Sequence, residues 1–124
     1  MKKTLTPEQI EARKQRLEAL KDFIKNTTPE QREKFALEHG ISNPEGHQLS
    51  GTNQMLIAFQ LAQFSIVAGF LQWKRNGRQV RKGEHGATIW IPIQTKQAET
   101  EETETNFTTT TVFDISQTEE LTEV

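Results

Sequence analysis

No cysteine occurs in these 124 residues. That absence excludes disulfides, thiolate metal sites and cysteine nucleophiles together, and it suits a reducing compartment. Apolar side chains are also scarce, at 33% of the chain without its seven glycines, against roughly 45–50% in an ordinary globular domain when glycine is counted in. The core must be small, and part of the chain lies outside it. The longest mostly apolar run, residues 55–71, is broken by Gln60, Gln63, Ser65 and Gly69. It is also shorter than the ~20 residues of a spanning helix. The N-terminal stretch MKKTLTPEQIEARK is too polar for a secretory signal. The chain therefore reads as soluble and cytoplasmic, with no membrane partner.

Catalytic patterns are missing as well. The three histidines, His39, His47 and His85, have no matched ligand spacing, and there is no H-E-x-x-H. Lys82-Gly83 is not followed by a phosphate-cradling motif, and no serine stands in a nucleophile elbow. The expectation is a protein that is not an enzyme and uses no cofactor and no metal.

Basic residues are missing from one end of the chain. Residues 1–96 hold all fifteen Lys and Arg and nine of the seventeen acids, a balance of +6, whereas residues 97–124 hold the other eight acids and no base. The net charge of −2 thus hides a mildly basic body and an acidic end. Such an end is ordinarily a solvated one, and it can also compete with a polyanion for the basic surface.

The elements follow from local chemistry. Thr6-Pro7-Glu8-Gln9 and Thr28-Pro29-Glu30-Gln31 are the same helix-start signal used twice, a capping threonine followed by a proline suited to the first turn. They predict helices over residues 6–25, with an apolar stripe of Ile10, Leu17, Leu20 and Ile24, and over 29–38, stopped by Gly40. Residues 41–50 are a loop. Residues 51–64 carry Met55, Leu56, Ile57, Phe59, Leu61, Ala62 and Phe64 and read as the central core helix, capped by Ser50 or Thr52. A short strand-like run at 65–70 precedes a helical turn or two that ends at Gly77, then an extended 78–82 and a turn at 82–86. Ile89, Ile91 and Ile93 alternate with Thr88, Trp90 and Pro92, the mark of a half-buried edge strand over 87–94. Residues 95–106 offer almost nothing to bury and read as a mobile acidic loop. FTTTTVFDI at 107–115 is a second strand completing a hairpin.

The fold class expected is α+β: N-terminal helices and a central core helix on a small antiparallel sheet, with an acidic mobile loop and C-terminal tail. The boundaries expected are an N-terminal helical segment over 1–40, a domain over 41–118 and an acidic tail over 119–124.

The chain is organised around residues 70–92, FLQWKRNGRQVRKGEHGATIWIP. Lys74, Arg75, Arg78, Arg81 and Lys82 fall within nine residues, flanked by Trp73 and Trp90, with His85 in the following turn. Basic groups attract a phosphate backbone, and an accessible aromatic face stacks an unpaired base. A basic run alone is equally a solvated face, and tryptophans are commonly core. Asn53, in the first turn of the core helix, is a further candidate donor to a phosphate or base. The candidate nucleic-acid-binding set is therefore Asn53, Trp73, Lys74, Arg75, Arg78, Arg81, Lys82, His85 and Trp90.

Four blocks in order carry a family likeness: Ser50-Gly51-Thr52-Asn53-Gln54-Met55-Leu56, Gly69-Phe70 with Trp73, the glycine-basic stretch from Gly77 to Gly86, and Val112-Phe113-Asp114-Ile115-Ser116-Gln117-Thr118. In these the chain resembles the N-terminal domain of the ArdC-type antirestriction proteins, which are carried by conjugative plasmids, phages and some plasmid primases. The resemblance implies non-sequence-specific binding of single-stranded DNA, in a family that helps incoming DNA escape restriction. Its members commonly carry a zinc metalloprotease-like domain as well. The H-E-x-x-H of that domain does not occur in these residues, so neither its zinc nor its activity carries over. The function expected is single-stranded DNA binding in antirestriction or mobile-element DNA protection. The alternative is an interaction module that engages a host defence or replication protein through its acidic tail or N-terminal helix. In a third reading the chain works beside a separately encoded protease or primase.

Overall fold

The computed structural model describes residues 4–96 and 103–121. The elements run α1 (Pro7–Lys25), α2 (Pro29–His39), α3 (Gly51–Gln60), β1 (Val67–Ala68), α4 (Phe70–Arg75), β2 (Arg78–Val80), β3 (Ala87–Lys96), β4 (Thr103–Asp114), a 3-10 turn (Ile115–Gln117) and β5 (Thr118–Glu120). The fold is α+β, as the residue pattern indicates.

Both repeated start signals form complete capping boxes. Thr6 Oγ1 accepts from the Gln9 amide while Gln9 Oε1 accepts from the Thr6 amide, and Thr28 and Gln31 repeat the exchange. Each box satisfies donors that a helix start leaves without partners. The two helices bury little: Leu20 is the buried residue of α1, and α2 has none. α1 is held to α3 by Phe23, whose ring stacks on Phe59 at 4.4 Å between centroids.

The core sits where α3 meets the sheet. Ile41, Ile57, Val67, Ala87, Ile89 and Val112 form it, with Phe35, Leu49, Leu61 and Phe64 packed around it. α3 stops at Gln60 rather than running on to residue 64, because Leu61 turns to an extended backbone. Phe59 is consequently half-exposed and meets α1, not the sheet core.

The main sheet has the order β1-β4-β3, all antiparallel, and β2 pairs with β5 in a separate ribbon. The expected alternation in β3 holds at its start, where Ile89 faces the core and Trp90 the opposite side, but Ile91 is 40% exposed and does not extend the buried stripe. β3 is an edge strand, as Pro92 suggests. The hairpin is longer than expected. β3 and β4 pair from Ala87↔Val112 out to Lys96↔Thr103, so only 97–102 of the expected 95–106 loop falls between them. Those six residues lie outside the described ones. Threonine-rich backbone pairs readily even where there is little to bury, which is why composition alone overstates the loop. Part of the expected acidic tail is likewise strand, because Glu119 and Glu120 pair with Gln79 and Arg78; residues 122–124 lie outside the described ones. A side chain at Gly86 would drive its Cβ into the Val112 carbonyl oxygen, so only glycine admits the close approach of β4 where β3 begins.

The outer edge of β3 is closed by a helix. Asn53 Oδ1 accepts from the Trp90 amide at 3.0 Å and its Nδ2 donates to the Trp90 carbonyl at 2.9 Å. Seven residues on, Gln60 does the same for Thr88, at 2.8 Å in both directions. Two helical turns of α3 thus imitate a neighbouring strand and satisfy an edge that would otherwise invite another chain. Replacing Asn53 or Gln60 by alanine is expected to cost about 1–2 kcal/mol each, read as a lower urea midpoint at unchanged slope. Amide exchange should rise first at Trp90 for one variant and at Thr88 for the other.

Candidate nucleic-acid interface

Eight of the nine candidate residues separate into three groups, and Trp90 stands apart. Asn53 and Trp73 belong to the framework, which corrects their expected role as DNA contacts. Both polar atoms of Asn53 are engaged by the Trp90 backbone. Trp73 is 1% exposed, and its Nε1 donates to the Phe113 carbonyl at 2.9 Å. It offers no face to a base.

Arg78 and Arg81 tie the C-terminal segment to the basic stretch. Arg78 Nε donates to Thr118 Oγ1 at 2.7 Å and its Nη2 to the Thr118 carbonyl at 3.2 Å. Arg81 Nη2 donates to the Ser116 carbonyl at 2.6 Å and stands 3.5 Å from Glu84 Oε2. Arg78 is half-buried with Nε and Nη2 given to Thr118, which assigns it a structural role beside the expected reach to a phosphate. Arg81 keeps an exposed charge but has a structural partner.

The third group is exposed. Lys74 lies over the Phe70 ring, 4.9 Å from its centroid. Arg75, Lys82 and His85 are exposed. Gly77, with φ of 78°, ends α4 and swings the chain from Lys74 and Arg75 into β2, a backbone that glycine adopts without strain. Gln72 of α4 and Asn76, which caps its end, donate to Glu45, at 2.8 and 3.4 Å. The Gln72 contact first, then Asn76 and the charge of Arg75, hold the Glu45 carboxyl below its usual pKa.

Trp90, the ninth, is half-buried and stands in a hollow of about 750 Å³ beneath α1. The hollow is mostly apolar, lined by Leu17, Ile24 and Leu49, with Lys21 and Arg32 on its wall and Ser50 and Thr52 at the start of α3. Antiparallel partners project to one side of a sheet. The pairs Trp90↔Thr109 and Thr88↔Thr111 therefore put all four side chains on the face turned from the core, toward α1. A second, polar hollow of about 310 Å³ continues this surface, with Arg13 and Arg16 above Thr88 and Thr109–Thr111.

These α1 cations escape a reading centred on residues 70–92. The signal was present: Arg13, Leu17, Lys21 and Ile24 recur at helical spacing. One face of α1 thus sets cations beside the apolar stripe.

Among the described residues, no group of three or more His, Asp or Glu side chains is placed to hold a metal ion. No helix among them is long and apolar enough to cross a membrane.

Comparison with known proteins places this architecture. No curated protein sequence matches the chain. Solved structures that share its fold include two of the antirestriction ArdC protein from plasmid R388. The metal-free form aligns with a TM-score of 0.51 at 22% identity, over 79% of this chain and 43% of that one. The Mn(II)-bound form aligns at 0.53 and 21%, over 74% and 40%. The chain spans less than half the length of either. The family profile for the N-terminal domain of anti-restriction factor ArdC matches residues 10–121, nearly the whole of the described fold including most of α1, and the chain belongs to that family.

Proposed function

We propose that this domain binds single-stranded DNA without sequence preference and, in the cytoplasm, shields incoming or mobile DNA from restriction. It acts as a binding module and not as a catalyst. The observation that carries the reading is unbalanced charge. The ion pairs formed among the described residues are Lys34–Glu38 and Arg81–Glu84. Lys74, Arg75 and Lys82 of the 70–92 stretch, and Arg13, Arg16 and Lys21 of α1, take part in neither of these pairs. Cations left in this state attract a polyanion. Family membership supports the antirestriction setting. In the alternative, a host-protein contact through the acidic tail or the N-terminal helix, Glu119 and Glu120 would act from within β5.

The test is fluorescence anisotropy with an unstructured labelled oligonucleotide across a salt series. Engagement of four to six phosphates predicts a log–log slope of about −3 to −4, so affinity should fall roughly a hundredfold between 50 and 200 mM salt. Failure to bind at low salt, or binding indifferent to salt, would sink the proposal.

A further inference from the structure

The hollows beneath α1 do not stand alone. The apolar one and the polar one meet at Leu17 and Thr109, which line both. A third depression, lined by Phe70, Leu71 and Arg75, shares Thr110 and Thr111 with the polar one. The three therefore adjoin one another in a row. The track they mark starts beside Trp90 and Arg32, passes over β4 between the threonines and Arg13 and Arg16, and ends on α4 at Phe70 and Arg75. Among the described residues, no Asp or Glu lines any part of it. In a protein whose acids outnumber its bases, a row of hollows lined only by cations and neutral groups is selective for an anionic occupant.

The order of chemistries along the track narrows the occupant further. Each end has an aromatic ring with accessible area: Trp90 is half-buried in its hollow and Phe70 is 46% exposed. Between them lie two arginines and a row of hydroxyls, with almost no apolar lining. A single strand alternates in the same way, with flat apolar bases and a charged, hydrogen-bonding backbone. A duplex would turn its phosphates outward and leave the aromatic ends unused. The middle of the track is open because β1 pairs with β4 only at Phe113 and Asp114, which leaves the Thr108–Val112 edge of β4 uncovered by strand.

We infer that single-stranded DNA crosses the sheet along this track, with one base stacked on Trp90, another near Phe70, and the intervening phosphates held by Arg13 and Arg16. This rests on the single-stranded DNA reading above and adds to it a path and a polarity of roles. It moves the main contacts from β2 and its following turn to α1 and the outer face of the β3–β4 hairpin.

The test uses the full chain and oligo(dT). Trp73 is sealed in the core, so a change in tryptophan emission on titration reports Trp90. Emission should be quenched as anisotropy rises. Trp90→Leu should abolish the quenching and weaken binding at least about fivefold. Arg13→Gln with Arg16→Gln, two exposed positions that the fold does not need, should flatten the salt slope by about 1 to 1.5. Lys34→Gln, whose partner is Glu38 on the far side of α2, should leave the slope unchanged. Salt-dependent binding with unaltered tryptophan emission and a parental slope in the double arginine variant would overturn the path while leaving DNA binding in place. Loss of binding in every variant and in the parent at low salt would overturn both.

Discussion

Trp73→Ala is expected to destabilise the domain by about 3–5 kcal/mol, the range for emptying a buried tryptophan site. Total stability in small domains is about 5–15 kcal/mol, and this one has a small core, so the variant should lose most of its margin. The reason is position. Trp73 is the largest fully buried side chain, and it comes from a helix of only six residues. α4 has no side-chain cap at its start, and so short a helix has little stability of its own. The indole supplies both its anchor and, through Nε1 and the Phe113 carbonyl, its link to the end of β4. Urea unfolding followed by far-ultraviolet circular dichroism should show the midpoint shift. The milder Trp73→Phe keeps most of the ring packing and loses the hydrogen bond, so it should cost about 1–2 kcal/mol. It also separates framework from function. If Trp73 belongs to the framework, Trp73→Phe binds oligonucleotide like the parent under native conditions. A stacking residue would show the reverse, weaker binding at parental stability.

That experiment bears on what the sequence could and could not reveal. Features set by neighbours in the chain were legible. The two Thr-Pro-Glu-Gln starts became two capping boxes, Gly40 and Gly77 ended their helices, and the period of two in β3 put Ile89 and Trp90 on opposite faces. The family likeness was legible too, because it rests on blocks in order and not on contacts. Features set by distant partners were not. A tryptophan beside a basic run looks the same whether its ring meets solvent or the carbonyl of residue 113. Asn53 looks like a phosphate donor until the strand edge that occupies its amide is known, and that edge lies 37 residues away. Arg78 and Arg81 raise the same problem, since their acceptors are 40 and 35 residues further along. The acidic end misled for a related reason. Glu119 and Glu120 have no apolar face to announce a strand, and β5 exists because β2 offers it an edge.

The candidate interface was thus half-visible. Lys74, Arg75, Lys82, His85 and Trp90 stay on the surface, while α1 supplies cations that no local motif marks. Residues 70–92 still organise the domain, chiefly as its internal frame: Trp73 anchors α4, Arg78 and Arg81 hold the C-terminal segment, and Ala87 and Ile89 enter the core. The surface they leave for a ligand is the outer face of the hairpin that this frame supports.

The second large effect falls on Asp114, which joins the frame to the C-terminal segment. Its side chain is 2% exposed. Oδ1 accepts from the Ser65 amide at 2.7 Å and Oδ2 from the Ser116 amide at 3.0 Å, while its own amide donates to Gln117 Oε1 at 2.9 Å. One carboxylate thus fixes the approach to β1 and caps the turn that leads into β5. Asp114→Ala leaves two amides without acceptors in a poorly solvated place and should cost about 2–4 kcal/mol. Asp114→Asn should be nearly as harmful despite its identical shape. One of its two terminal atoms becomes an NH2 group, so whichever way the amide is turned, a donor faces a donor. The damage should also be directional. Ser116, Gln117 and Thr118 carry the acceptors for Arg81 and Arg78 and the pairing of β5 with β2. Amide exchange should therefore rise at Arg78–Arg81 and Thr118–Leu121 well before it rises in α3 or at Ile89. Uniform acceleration across the domain would show instead that Asp114 acts on global stability alone and that the β2–β5 ribbon has no separate dependence on it.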